Sequence, residues 1–204
     1  MGRVAQTVEP YAYPSGAHRR RHGPAGYADY ASYRPWLEDE FSFRCVYCLK
    51  RMVWGPSDIW VVDHLIPRDE APELECEYDN LVLACQFCNG QKGCNRVPDP
   101  CKVPYGACLR VEPDGTVTPL NADGHRLERA LRLNHSRHVD ERRKTLNLLS
   151  VLARADRTQF EDRMGYPADL PDLARKTPPR NTRPEGVAES YLARRQRGQL
   201  PVTY

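Results

Sequence analysis

The chain has 204 residues, 40% hydrophobic and 28% charged, with a formal net charge of +3. That length suits one domain with extensions or two small ones, and no stretch approaches the ~18 consecutive apolar residues a membrane helix needs. The N-terminus has no apolar h-region, and Gln6 stands where an N-myristoylation signal has Ser or Thr. A cytoplasmic protein without a secretory signal or lipid anchor is therefore expected.

Charge is unevenly spread. Residues 1–36 carry five Arg against two acids, residues 37–100 six basic against twelve acidic residues, and residues 101–204 nineteen against thirteen. An acidic middle between basic flanks does not describe a uniform nucleic-acid coat. It suits a cation-binding centre with arms that grip a polyanion, although an ordinary solvated surface gives the same imbalance.

In chain order, residues 1–26 are rich in Pro, Gly, Tyr and Arg, lack periodicity and read as an irregular basic arm. Its AHRRRHG run, with His18 and His22 around three Arg, is either a grip on a nucleic-acid backbone or a solvated run. Over 27–43, Tyr30, Tyr33, Leu37 and Phe41 recur at helical spacing, with Pro35 near the start of the regular part, and predict a helix leading into the core. Residues 27–108 would form that helix plus a compact motif region, and residues 109–166 an extension. In the extension, LRVEPDGTVTPL (109–120) predicts a hairpin around Pro-Asp-Gly. Helices are expected at 125–133 and at 136–156, the second with Val139, Leu146, Leu149 and Leu152 in helical rhythm. From 167 to 204 the chain is Pro- and Arg-rich, a composition that reads as a linker to a partner or a disordered basic arm.

Two Cys-x-x-Cys pairs, Cys45/Cys48 and Cys85/Cys88, lie 36 residues apart. Without a secretory signal, cysteines at this spacing are metal ligands more readily than disulfides. Two such knuckles close a tetrahedral thiolate shell around Zn²⁺ with no open position, which makes the ion structural. Of the other cysteines, Cys76 and Cys108 read as plain thiols, and Cys94 and Cys101 do not make a second site. His135 and His138 are three apart near a helix start, but no further ligand completes a set, so they read as surface polar residues.

Between the knuckles the apolar run 59–62 ends at Asp63-His64, with Pro67 three residues on; Asn80-Leu81, Asn89 and Lys92 follow. Alone, an acid and an imidazole at a strand end are two solvated residues. Taken with the bracketing cysteines, the segments FRCVYC, VVDHLIPRD and YDNLVLACQFCNGQKG resemble the HNH, or ββα-metal, nucleases. In that family a Cys-x-x-Cys, an Asp-His-x-x-Pro, an Asn-Leu and a second Cys-x-x-Cys followed by His or Asn and then Lys occur in this order. Asn89 replaces the final His, giving an H-N-N variant.

The resemblance implies an α+β fold: a small zinc-stapled ββα core with flanking helices, a short hairpin and irregular basic terminal arms. It implies a metal-dependent endonuclease that hydrolyses DNA phosphodiesters. His64 would be general base, Asp63 and Asn89 would hold one Mg²⁺ or Mn²⁺, and Asn80 would brace the histidine loop. Lys92 would either touch a substrate phosphate or be a solvated helix residue. The residues agree with this chemistry, because a carboxylate and an amide oxygen suit a hard cation and an imidazole with a pKa of about 6.5 takes a proton near neutrality. Asp63 and His64 point oppositely along an extended strand, so a turn at residues 65–67 is expected to bring both to one phosphate.

The lead-in YRPWLEDEFSFRCVYC and the segment DGTVTPLNADGHRLERALRLNHSRHVDERR are similar to regions flanking the motif in bacterial HNH proteins. Some of those are nuclease subunits of anti-phage defence systems of the Septu type, which implies an ATPase partner that regulates cleavage. A zinc-ribbon binding module without catalysis is the alternative, and the joint presence of Asp63, His64, Asn80 and Asn89 argues against it. The sequence does not separate DNA from RNA, nicking from double-strand cleavage, or one oligomeric state from another. It contains no helix-turn-helix or finger helix for reading bases.

Overall fold

The computed structural model describes residues 9–55 and 59–204; Gln6 and the first eight residues of the basic arm lie outside them. The centre is an antiparallel hairpin followed at once by a helix. Strand β2 (Trp60–His64) pairs with β3 (Leu81–Cys85) in the register Trp60↔Cys85 to His64↔Leu81, and α2 (Gln86–Lys92) begins where β3 ends. All five residues of β3, LVLAC, are buried, as expected of an unbroken apolar strand covered on both faces. Gly93 closes α2 at φ +51°, a backbone that side chains disfavour.

The first knuckle folds beside this unit. Arg44 bridges to Arg51, the Cys45 N–H donates to Lys50 O at 2.9 Å, and Leu49, at φ +61°, donates to Cys45 O at 3.0 Å. The Val46 N–H donates to Leu83 O at 3.0 Å and stitches the knuckle onto β3.

Ahead of the knuckle, a 3-10 turn at Tyr30–Tyr33 leads into α1 (Arg34–Glu40), shorter than the periodicity predicted but burying Tyr33, Leu37 and Phe41. After α2 come the hairpin β4 (Leu109–Val111) and β5 (Val117–Pro119), then α3 (Ala122–Leu131) and α4 (Ser136–Ala155). Helix α4 buries His138, Arg142 and Leu149, whereas Leu148 and Val151 are exposed. The Arg142 guanidinium is used internally, on Leu133 O. An unpredicted helix, α5 (Arg157–Met164), follows and buries Phe160 and Met164. No described helix is long and apolar enough to cross a membrane.

The two terminal arms differ most from expectation. Residues 24–25 (β1, Pro24–Ala25) pair with residues 180–181 (β6, Arg180–Asn181), and a further helix, α6 (Tyr191–Gln196), packs near α1. The tail is thus neither a linker nor a disordered arm. Its anchor is a buried acid pair, Asp39 and Glu40. Asp39 takes the His22 ring at 2.8 Å, Arg21 at 3.0 Å and the Tyr191 N–H at 2.7 Å. Glu40 takes the amides of Arg21 and His22, each at 2.9 Å, His18 at 2.9 Å and the Tyr78 hydroxyl at 3.0 Å. The His18, Arg20, Arg21 and His22 side chains of the AHRRRHG run are therefore spent on partners within the protein, while Ala17 and Arg19 are exposed. One hydrophobic core, running from Tyr11 and Tyr13 through the hairpin to Leu131 and Leu173, draws on all four segments of the chain.

Candidate active site and zinc centre

The Sγ atoms of Cys45, Cys48, Cys85 and Cys88 lie within 4.8 Å of one another, and all four residues are buried. Four thiols this close cannot all ionise unaided. Hydrogen bonds from Cys45 and its neighbours hold the Cys85 thiol well below its ordinary range, while the same contacts and burial push Cys48 and Cys88 up. A divalent cation resolves that conflict by making every sulfur a thiolate ligand, and closed four-sulfur donor sets are typical of structural Zn²⁺. The cluster fits zinc. Cys76, Cys94, Cys101 and Cys108 are outside it, and among the described residues no other group of three or more His, Cys, Asp or Glu side chains converges.

Strand β2 continues through His64, and Leu65 extends the ladder by donating to Asn80 O at 2.9 Å. The turn therefore starts too late to bring Asp63 and His64 to one side, and adjacent strand residues face opposite ways. Asp63, 4% exposed, faces inward, where its Oδ2 accepts from the Tyr47 hydroxyl at 2.6 Å and its Oδ1 from Lys92 Nζ at 3.2 Å. Burial raises its pKa from the ordinary value, against the opposing pull of Lys92 and Tyr47.

Lys92 is 1% exposed and also donates to His64 O at 2.6 Å. It is neither solvated nor placed to touch a substrate phosphate; it is an internal strut between α2 and β2. Spacing placed Lys92 on the helix but could not say which way it faced.

His64 packs on the other side. Its Nε2 lies 2.9 Å from Glu75 O. A carbonyl only accepts, so Nε2 carries the proton and the neutral ring keeps its lone pair on Nδ1. Nδ1 has no protein partner among the described residues and is not sealed from solvent. The Tyr30 ring meets the imidazole edge-on at 4.9 Å. Burial lowers the His64 pKa below 6.5; the Glu75 carbonyl opposes this and the Arg68 charge adds to it. That shift favours the neutral ring.

Asn80 pins the loop after His64. Its Oδ1 accepts from Ile66 N at 2.9 Å, and its Nδ2 donates to Ile66 O at 3.1 Å and Leu74 O at 3.3 Å. Asn89 follows Cys88 on α2, which packs against β2; it is half-buried, and its side chain has no hydrogen-bond partner among the described residues. The site thus joins a strand end, a pinned loop and a helix, with zinc ligands holding the strand-to-helix corner. Residues 45–94 match the HNH endonuclease family.

The match covers the two knuckles, the hairpin and α2, the structural unit just described. A second comparison finds Septu protein PtuB from Bacillus thuringiensis 40% identical over 50 residues, which are 24% of this chain and 19% of that protein. The likeness thus spans about a fifth of the curated relative's length. No solved structure matches the chain significantly.

Sequence reasoning missed Tyr47, Tyr30 and the Glu75 carbonyl. A bulky aromatic inside the first Cys-x-x-Cys was a readable signal for Tyr47. A backbone acceptor such as Glu75 O leaves none. His138, read as a surface residue, is 6% exposed, and its ring lies tilted against Phe87 with centroids 4.0 Å apart.

Proposed function

We propose that the chain is a cytoplasmic, metal-dependent endonuclease that hydrolyses phosphodiester bonds in DNA, with His64 as general base. The observation that carries this reading is the anchoring of His64: a buried imidazole held through Nε2–H on Glu75 O, with Nδ1 unpartnered among the described residues. In the step we propose, Nδ1 takes a proton from a water as that water's oxygen bonds to phosphorus. The bond from phosphorus to the 3′ oxygen breaks, leaving a 5′ phosphate and a 3′ oxyanion that takes a proton from solvent to become the 3′ hydroxyl. General-base help of this kind is worth about 10²–10⁴-fold.

Asp63 and Asn89 would hold Mg²⁺ or Mn²⁺. The Asn89 amide is uncommitted, but the Asp63 carboxylate faces inward onto Tyr47 and Lys92, on the opposite side from His64, so it would have to leave that pair before the two residues could share an ion beside the imidazole. When bound, the ion would supply Lewis-acid stabilisation of charge on the leaving oxygen. The Lys92 ammonium beside Asp63 opposes a second cation, so binding of the ion should be weak. Asn80 acts as a positioning residue by holding the loop that carries Glu75 O against His64.

The likeness to a Septu protein supports a role in anti-phage defence, with an ATPase partner that controls cleavage. The test is cleavage of supercoiled plasmid by the zinc-loaded chain with Mg²⁺ or Mn²⁺, alone and with that partner. A zinc-dependent binder without catalysis would retain DNA on a filter and never nick it.

A further inference from the structure

We propose that Arg68 grips a backbone phosphate of DNA lying across His64, and that Glu75 holds Arg68 in reserve until the DNA displaces it. This deepens the nuclease reading and rests on it.

Arg68 lies four residues past His64. Its guanidinium stands over the Tyr30 ring, 5.4 Å from the centroid, and that ring packs edge-on against the imidazole. Its NH1 pairs with Glu75 Oε1 at 3.0 Å, and the main-chain oxygen of the same Glu75 anchors His64 Nε2. Arg68 is thus tied to the imidazole from two sides.

Other cations near the core are already committed. Lys92 is sealed on Asp63, Arg51 on the carbonyls of residues 164 and 204 and Arg142 on that of residue 133, and the half-buried Arg20 bonds the carbonyls of residues 79 and 81. The Arg68 and Glu75 side chains are 52% and 43% exposed. An ion pair between half-exposed side chains in water contributes little, so exchanging Glu75 for a phosphate costs little. The planar guanidinium fork can take a phosphate in two-point fashion. The loop that carries Glu75 is acidic, with Asp69, Glu70, Glu73 and Glu77, so Arg68 faces carboxylates until a phosphate takes it.

The experiment is fluorescence anisotropy of a labelled DNA duplex, in zinc-replete buffer without Mg²⁺ or Mn²⁺, over a salt series. Wild type, Arg68→Gln, Glu75→Gln and Glu73→Gln are compared; the last makes the same charge change in the same loop. Loss of one phosphate contact should flatten the slope of log affinity against log salt by about 0.9. Arg68→Gln should show that flattening and weaker binding. Glu75→Gln should tighten binding several-fold more than Glu73→Gln.

An unchanged slope in Arg68→Gln, with normal wild-type binding, overturns the proposal alone. Equal tightening in Glu73→Gln and Glu75→Gln overturns the reserve pairing. A wild-type chain that binds no duplex at low salt defeats the proposal and the nuclease reading together.

Discussion

Replacing Lys92 by Met tests whether the ββα unit is braced by one buried ion pair. The Lys92 and Asp63 side chains are 1% and 5% exposed, with Nζ 3.2 Å from Oδ1. At that distance, and at an effective dielectric constant of about 20, their attraction is about 5 kcal/mol. Methionine keeps the length of the stem but leaves Asp63 a buried carboxylate with only Tyr47 as partner. Removing one member of such a pair costs about 3–5 kcal/mol, and the lost bond to His64 O adds about 1 kcal/mol. Against a total stability of about 5–15 kcal/mol, Lys92→Met should bring the chain close to unfolding. The assay is urea denaturation of the zinc-loaded protein, followed by fluorescence of Trp36 and Trp60, both buried. Asp63→Asn combined with Lys92→Met should recover part of the loss, since the amide carries no charge to strand. A Lys92→Met cost below about 1 kcal/mol, or no recovery in the double variant, would refute the reasoning.

Removal of zinc should unfold the core: free-ligand binding energies of structural zinc reach about 10–16 kcal/mol in small peptides, so thiol titration should release one Zn²⁺ per chain as helical circular dichroism falls. Asn80→Ala should cut cleavage more than it cuts DNA binding, because it frees the loop that holds Glu75 against His64 without touching the substrate; rates and affinities measured on the same preparation check this. Glu40 should make stability acid-sensitive. Burial pushes its carboxyl up, but hydrogen bonds from His18 and the amides of Arg21 and His22 outweigh that and hold it at about 2 against an ordinary 4.5. Because the folded value lies below the unfolded one, its contribution of about 3 kcal/mol is present above pH 4.5 and lost as pH falls towards 2. Glu40→Gln should flatten denaturation midpoints across that window.

The zinc cysteines and the ββα order were legible because metal coordination and backbone register impose spacing, and spacing survives in a sequence. The β4–β5 hairpin was legible for the same reason, through Pro-Asp-Gly. The direction of Asp63 and Lys92 was not, since period-two and period-3.6 patterns mark faces only when those faces differ in polarity, and here charged groups turn inward to each other. The arms misled for a related reason. Pro and Arg suggest disorder by composition, but Asp39 and Glu40 offer enough buried acceptors to order Arg21, His22 and the backbone at Tyr191. Helix α5 escaped because Phe160 and Met164 alone do not make a rhythm.

The central claim is that His64 activates water in a metal-dependent attack on DNA. The most direct measurement compares wild type with His64→Ala, both zinc-loaded, on supercoiled plasmid with Mn²⁺, with Mg²⁺ and without added divalent ion, in the presence of the proposed ATPase partner. The account predicts nicking only with Mn²⁺ or Mg²⁺, reduced about 10²–10⁴-fold in His64→Ala. Equal cleavage by both chains, or none by the wild type under any of these conditions, would contradict it.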